Sequence, residues 1–336
     1  MVAMLIPTLL ALMQTAPQQG PVKTFGDWAV ACDNVKRCEM TALQPEDGDW
    51  SDDGWQMSVV REAGPGGTWT VELDGDGPAS GVRLQVEGVP AAGAAAVWRG
   101  TRFTGGEALA IVGAMANGKT AVVRDGAGKQ LGRVSLAGSS ASLRFIDAEQ
   151  GRAGTVTAAV ATGAKPASAV PAAPPLPVVP AVRAAGAPTT LSAAQLDQLW
   201  SQSDCAENYE DGSRPDIERH ALGGGATLVL IPCGAGAYNF SSVPYVVTGG
   251  KVQVATFDSP PGWTDDGPPM LVNAGFDAKS GELASYAKGR GIGDCGSAER
   301  YVWDGTRFRL IEARAMGECR GSINWLRIWQ AKAVPR

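Results

Sequence analysis

The sequence predicts a mainly β protein with a few short helices, built as two β-sandwich or sheet domains joined by a Pro- and Ala-rich linker. Three observations carry that reading. The 336 residues include 44 glycines and 22 prolines, which favours turns and short strands over long helices. Strand-like runs recur at roughly ten-residue spacing with Gly, Pro or Asp between them, as in sandwiches and barrels. Residues 158–188 carry only Lys165 and Arg183 as charges among alanines, prolines and valines. Such a stretch cannot bury a core and reads as an extended, semi-stiff linker, with 171–180 leaning to polyproline II. The expected division is a signal peptide over 1–22, a first domain over 23–157, the linker over 158–190 and a second domain over 191–336.

Residues 2–13 form an apolar run of signal-peptide length, too short for a stable membrane anchor, and no further span follows it. Residues 25–32 then alternate with an apolar face, and 38–43 return antiparallel to them. Beyond an acidic loop over 46–53, strands are expected at 55–61, 68–73 and 82–86. Two helices interrupt them: 107–116, with Leu109, Val112 and Met115 near one face, and 139–150, with Leu143 and Ile146 likewise. The second domain opens with a helix over 192–200, where Ser192 and Gln195 make a capping-box pattern. Strands follow at 226–233, 238–247 and 251–257, and 270–276 and 282–286 flank the turn 277–281. Residues 301–310 read as a hairpin about the turn Asp304-Gly305, and 323–331, with Trp325 and Trp329, close the sheet.

Six cysteines stand at 32, 38, 205, 233, 295 and 319, and six allow 15 pairings. Sequence neighbours suggest Cys32 with Cys38, Cys205 with Cys233, and Cys295 with Cys319. None forms a CxxC, and His220 is the sole histidine, so zinc spacing and thioredoxin-type redox chemistry find no support. No cofactor or metal is expected. An even count without metal spacing points to disulfides in an oxidising compartment.

A net charge of −5 argues against nucleic acid, which calls for a strongly basic face. Its distribution is uneven. Residues 190–287 hold 4 basic and 12 acidic side chains, and residues 288–336 hold 10 basic and 5 acidic. Two readings follow: the segments neutralise each other within one fold, or the second offers a basic ligand face.

Residues 113–120, GAMANGKT, fit the phosphate-loop pattern letter for letter. That pattern works only when a strand precedes the loop and a helix follows, and here the expected order is helix then strand, with Gly118 as a helix C-terminal glycine. The loops Asp74-Gly75-Asp76-Gly77 and Asp47-Gly48-Asp49 with Asp52 and Asp53 lack the distal glutamate of a calcium loop and read as solvated turns. His220 has no serine elbow or named partner, and Asp265 with Asp266 give no cross-site spacing for glycosidase chemistry. Trp263, in a Pro-, Gly- and Asp-rich loop, is the tryptophan expected at the surface.

Several segments resemble a known family. They are LVLIPCGAGAYN at 228–239, LVNA at 271–274, GRGIGDCG at 289–296, Trp303-Asp304-Gly305 and Cys319-Arg320-Gly321, with FGDW at 25–28, Cys32-Asp33-Asn34, Cys38, SLAG at 135–138 and IDAEQGR at 146–152. Together they resemble a proteobacterial periplasmic family of unknown function, DUF1176. The first domain is also similar to the invasion-associated locus B proteins, secreted and β-rich. The resemblance implies location and disulfides, and no activity, substrate or catalytic residue.

The expected working face is the stretch 288–321, where Cys295 and Cys319 lie just outside the arms of the hairpin and a bridge would contribute about 3 kcal/mol. Arg290 and Arg320 would sit together at its base, facing an anionic envelope glycan or an acidic envelope protein, with Asp294, Trp263, Tyr238 and Asn239 completing the ligand set. The rivals are a hydrolase using carboxylates around Asp294 and Asp304, and a structural spacer whose working part is the linker.

Overall fold

The computed structural model describes residues 16–46, 54–75, 81–89, 97–209, 213–262, 264 and 267–336. Most of the expected signal peptide lies outside them, as do the loop 47–53, Asp76, Gly77, Trp263, Asp265 and Asp266. The protein is mainly β, with antiparallel pairing dominant and three short α-helices among the described residues.

In the N-terminal half, a six-stranded sheet joins β1 (Val22–Phe25), β2 (Trp28–Cys32), β3 (Cys38–Ala42), β4 (Gln56–Arg61) and β5 (Trp69–Asp74) in sequence order. The chain then leaves through β6 (Arg83–Glu87) and β7 (Val97–Arg99) and returns as its last strand, β8 (Arg102–Thr104). After α1 (Gly105–Met115) come β9 (Thr120–Arg124), β10 (Gln130–Ser135) and α2 (Ser139–Glu149), and a second sheet runs β10-β9-β6-β7. Alternation decides the faces: β4 buries Met57, Val59 and Arg61 and turns Gln56, Ser58 and Val60 outward. Both sheets and both helices close over one core that includes Trp28, Met40, Phe103, Ile111 and Leu143. The phosphate-loop match has α1 before it and β9 after it, the reverse of a nucleotide cradle. Gly118 donates to the Ala114 carbonyl at 2.8 Å just beyond the end of α1.

The C-terminal half begins with β11 (Val178–Ala181) and α3 (Ala193–Gln202), whose Ser192–Gln195 capping box is complete. Next come β12 (Glu218–Gly223), β13 (Ala226–Ala235), β14 (Phe240–Thr248), β15 (Lys251–Val254) and β16 (Leu271–Val272). The chain ends with β17 (Gly275–Asp277), β18 (Glu282–Lys288), β19 (Gly296–Trp303), β20 (Phe308–Met316), β21 (Leu326–Gln330) and β22 (Lys332–Pro335). One sheet holds β12 to β15 in order, with β16 on β14, and the other β17 to β21 in order. Leu228, Leu230, Val246, Tyr301, Phe308 and Leu310 share one buried cluster between the two sheets, to which Ala29, Ala31 and Leu43 of the N-terminal half also contribute, while Val229, Ile231 and Val243 pack with Leu199 of α3 in another.

All three neighbour disulfides form: Cys32–Cys38, Cys205–Cys233 and Cys295–Cys319. The hairpin forms too, but Asp304-Gly305 is not a two-residue turn. Trp303 pairs with Phe308, which leaves a four-residue loop in which Asp304 Oδ1 accepts the Thr306 and Arg307 amides. The aspartate side chain organises this longer turn.

The Ala- and Pro-rich stretch bends through a 3-10 turn at Ala167–Ala169 before an extended run into β11, and it docks along both halves. The Asp147 carboxylate accepts the amides of Ala159, Val160 and Ala161 at 2.8, 3.0 and 3.1 Å. Val170 and Val179 are buried, β11 pairs in parallel with β22, and the Val182 amide donates to the Trp303 carbonyl at 2.7 Å. Val170 and Val179 bury against partners distant in sequence, which composition alone does not reveal.

Candidate functional site

Arg320 is buried against the N-terminal half. Its side chain is 9% exposed and crosses to the N-terminal half, donating to Asp27 Oδ1 at 2.5 Å, the Gly26 carbonyl at 2.9 Å and the Gln44 carbonyl at 2.7 Å. Other motif residues do the same work. Asn34 exchanges hydrogen bonds with the Gln330 backbone, and Asp33 accepts from Gln330 Nε2 at 2.6 Å and pairs with Arg327 at 3.3 Å. Burial pushes Asp33 above its ordinary value, against the Arg37 amide and the Arg327 charge. In IDAEQGR, Asp147 holds the docked stretch, and buried Arg152 donates to the Gly64 carbonyl at 2.5 Å and to Gln150 at 2.6 Å. The residues that carry the resemblance are thus largely those that join the halves and fix the strap.

Four of the expected ligand residues do converge. Asn273, at φ +43°, donates to the carbonyls of Tyr238 and Tyr286 and to Asn239 Oδ1, and accepts the Phe240 amide. Asn239 in turn exchanges hydrogen bonds with the Lys288 backbone, and Tyr238 Oη reaches the Gly289 carbonyl. Asp294, 1% exposed, receives Arg290 in a bidentate grip at 2.7 and 2.5 Å and the Gly321 amide at 2.6 Å. Against the raising pull of burial, these donors hold its carboxyl below the ordinary range. Cys295–Cys319 closes the unit. A side chain at Gly296, φ +141°, would meet the Ala287 carbonyl at 1.9 Å, so only glycine lets β18 and β19 close there. Trp263, the sixth residue, lies outside the described set.

Around this braced loop stand exposed apolar side chains: Ile292 at 72%, Ile323 at 64%, Phe240 at 61% and Tyr286 at 36%. Each belongs to a segment that adjoins Tyr286. Asn273 bonds to the backbone of both Phe240 and Tyr286, Tyr286 and Ile323 line one crevice, and Gly293 lies against Tyr286 Oη.

The cations of 288–336 are largely paired, some with 190–287 and others with the N-terminal half. Arg309 meets Asp258, Arg300 meets Glu282 and Glu312, and Arg314 lies 3.7 Å from Glu39. The carboxylates named for hydrolysis are committed elsewhere: Asp294 to Arg290, and Asp304, held low by the Arg307 and Thr306 amides against burial, to its turn and Arg309. His220 sits on β12 beside Glu218 at 3.2 Å, its ring 5.1 Å from Phe276.

Sequence reasoning missed two features. One is a crevice of about 440 Å³ between the halves, with Glu39, Ser58, Glu72, Tyr286, Arg314 and Asn324 among its lining. Alternation on β18 was its only signal, since it puts Tyr286 on the face opposite Leu283. The other is Glu299, 5% exposed on β19 and flanked at inward positions by Ser297 and Tyr301. Glu299 Oε2 and Tyr301 Oη are buried without hydrogen-bond partners, and burial, against the Ser297 hydroxyl and the Gly262 amide, pushes Glu299 up to about 7.

The geometry defines a disulfide-braced β protein whose motif residues serve mainly its own assembly. Its family is shown by comparison: the chain belongs to the Protein of unknown function (DUF1176) family, whose model matches residues 22–332. It is 32% identical over 352 residues to the Uncharacterized protein YpfG of Escherichia coli (strain K12), covering 97% of this chain and 96% of that one. The crystal structure of invasion associated protein B from Bartonella henselae is 23% identical, covers 39% of this chain and 99% of its own, and superposes with a TM-score of 0.30. Among the described residues no helix is long and apolar enough to cross a membrane.

Proposed function

We propose that this chain is a non-catalytic interaction protein of the periplasm or extracellular envelope, docking a protein partner through its disulfide-braced loop face. The observation that carries the reading is the rigid display of Ile292, Phe240 and Ile323 around the Asn239–Asn273 network and the Arg290–Asp294 pair. Exposed apolar side chains grouped on a fixed scaffold favour a protein surface over an anionic glycan. The commitment of Arg290 to Asp294, and of Arg320 to Asp27, weakens the anionic-ligand alternative. Three disulfides support an oxidising compartment.

The test is photocrosslinking in living cells, with a photoreactive amino acid at Ile292 and a control at Leu109, which is exposed on α1 of the other half. One dominant protein captured at 292, absent at 109 and lost in Phe240→Asp supports the reading. Equal capture at both positions, or capture of glycan alone, overturns it.

A further inference from the structure

The crevice between the halves has two walls, each a row of side chains across paired strands. On the N-terminal side, Thr41, Ser58 and Glu72 stand in register across β3, β4 and β5 on the outward face of their sheet. On the C-terminal side, Tyr286, Ala298 and Arg314 stand in register across β18, β19 and β20. Ala298 is what makes the hollow, because its methyl group leaves open the space between a tyrosine and an arginine. The volume of about 440 Å³ falls within the roughly 300–1,000 Å³ usual for small-ligand sites.

We infer that this crevice is a binding site for a short neutral saccharide, with Tyr286 as its stacking platform. Trp325, nearly buried and itself part of the lining, stacks on Tyr286 at 4.7 Å with planes 15° apart, so the ring is held in one orientation at the crevice. An aromatic face so fixed suits the C–H face of a sugar ring at little cost in side-chain freedom. The polar lining supplies both senses of hydrogen bond that hydroxyls need: Glu39 and Glu72 accept, Arg37 and Arg314 donate, and Ser58 does either. Asn324 Nδ2, on a residue of the lining, is buried without a partner, a donor whose desolvation a ligand hydroxyl would offset.

Competing ligand classes fit less well. Two arginines face two glutamates, and Glu39 is bound by Arg37 and the Arg327 amide while Glu72 is bound by Arg102, so no net positive field draws an anion. Strands β3 and β4 are partnered on both edges, which leaves no edge for an extended peptide to extend. Four charged side chains in the lining disfavour an acyl chain.

The test is calorimetric titration of the full chain with N,N′-diacetylchitobiose, cellobiose and maltose to about 10 mM, enough to register a Kd near 1 mM, alongside Tyr286→Leu and Ala298→Phe. At least one sugar binds, Ala298→Phe lowers its affinity at least about tenfold by filling the hollow, and Tyr286→Leu does so by removing the platform. Melting temperatures show whether each variant folds, and one folded variant suffices. Absence of binding by all three sugars, or affinity retained in a folded variant, overturns the inference. Tyr286 and Ile323 border both sites, but Ile292 is not among the lining residues, so capture of a protein partner at 292 is read separately from sugar binding.

Discussion

Arg320 Nη2 lies 2.5 Å from Asp27 Oδ1, across 293 positions of sequence, and this pair ties the GDW turn of the first half to the CRG turn of the second. With the backbone carbonyls of Gly26 and Gln44 as further acceptors, each nitrogen of the guanidinium has a protein acceptor. Removing it leaves the Asp27 carboxylate, 15% exposed, with the Ser135 hydroxyl on its other oxygen and no cation among the described residues. Arg320→Met is therefore expected to cost about 3 kcal/mol, and a cycle with Asp27→Asn to show coupling of about 1–3 kcal/mol. Urea unfolding measures both. Additive single effects would mean that the pair does not hold the halves together.

What could be read from the sequence was local. The strand at 55–61, the Ser192–Gln195 box and the three neighbouring cysteine pairs each depend on residues close together in the chain, and each forms. Arg320 was legible as a conspicuous arginine beside a cysteine, but its partner was not, because a contact across nearly the whole chain leaves no period or spacing. The same holds for the strap, whose β-partner is residues 332–335, and for the crevice, which exists only where the outward face of one sheet meets another. Glu299 was invisible for a different reason: a single glutamate in a strand normally marks the wet face, and here it falls on the buried one.

The strap yields a second expectation. Its hold on the C-terminal half is the parallel β11–β22 pair, and Val178 and Val179 are good thermolysin sites once that pairing is lost. Truncation after Ala331 should raise the rate of cleavage within 171–182 at least about tenfold under native conditions, since such cleavage tracks local opening. Mass spectrometry of the fragments locates the cut. Unchanged protection would mean that packing of Val179 holds the strap without β22.

The Cys295–Cys319 bridge closes a loop with a sequence separation of 24. Its double replacement by serine is expected to cost about 3 kcal/mol and to raise hydrogen exchange at residues 289–296, because the Gly321 amide that helps hold Asp294 lies two positions beyond the bridge. Loss of global stability without faster local exchange would show that the Arg290–Asp294 pair alone organises the loop.

Glu299 sets the pH dependence. A side chain on Gly262 would come within 2.4 Å of Ser297 Oγ and 2.8 Å of Glu299 Oε1, so the backbone at Gly262 lies directly over this pair. No cation is paired with Glu299 among the described residues; Tyr301 is its titratable neighbour, and Asp258, which also acts on Tyr301, is taken by Arg309. Burial raises the folded value to about 7, from an ordinary 4.5. Between those values the folded chain holds a proton that the unfolded chain has released, so this group's contribution is full below pH 4.5, falls as pH rises to about 7, and stays low above it. The two values set a ceiling of about 3 kcal/mol. Asp294, Asp304 and Glu312 are held low and act in the opposite sense, so the diagnostic is a difference. Glu299→Gln, neutral at every pH, should match the wild type near pH 4.5 and exceed it by about 2–3 kcal/mol at pH 8 in urea titrations. Profiles that stay parallel across that window would mean that Glu299 ionises without cost in the folded state, through water or a shift of the Gly262 segment.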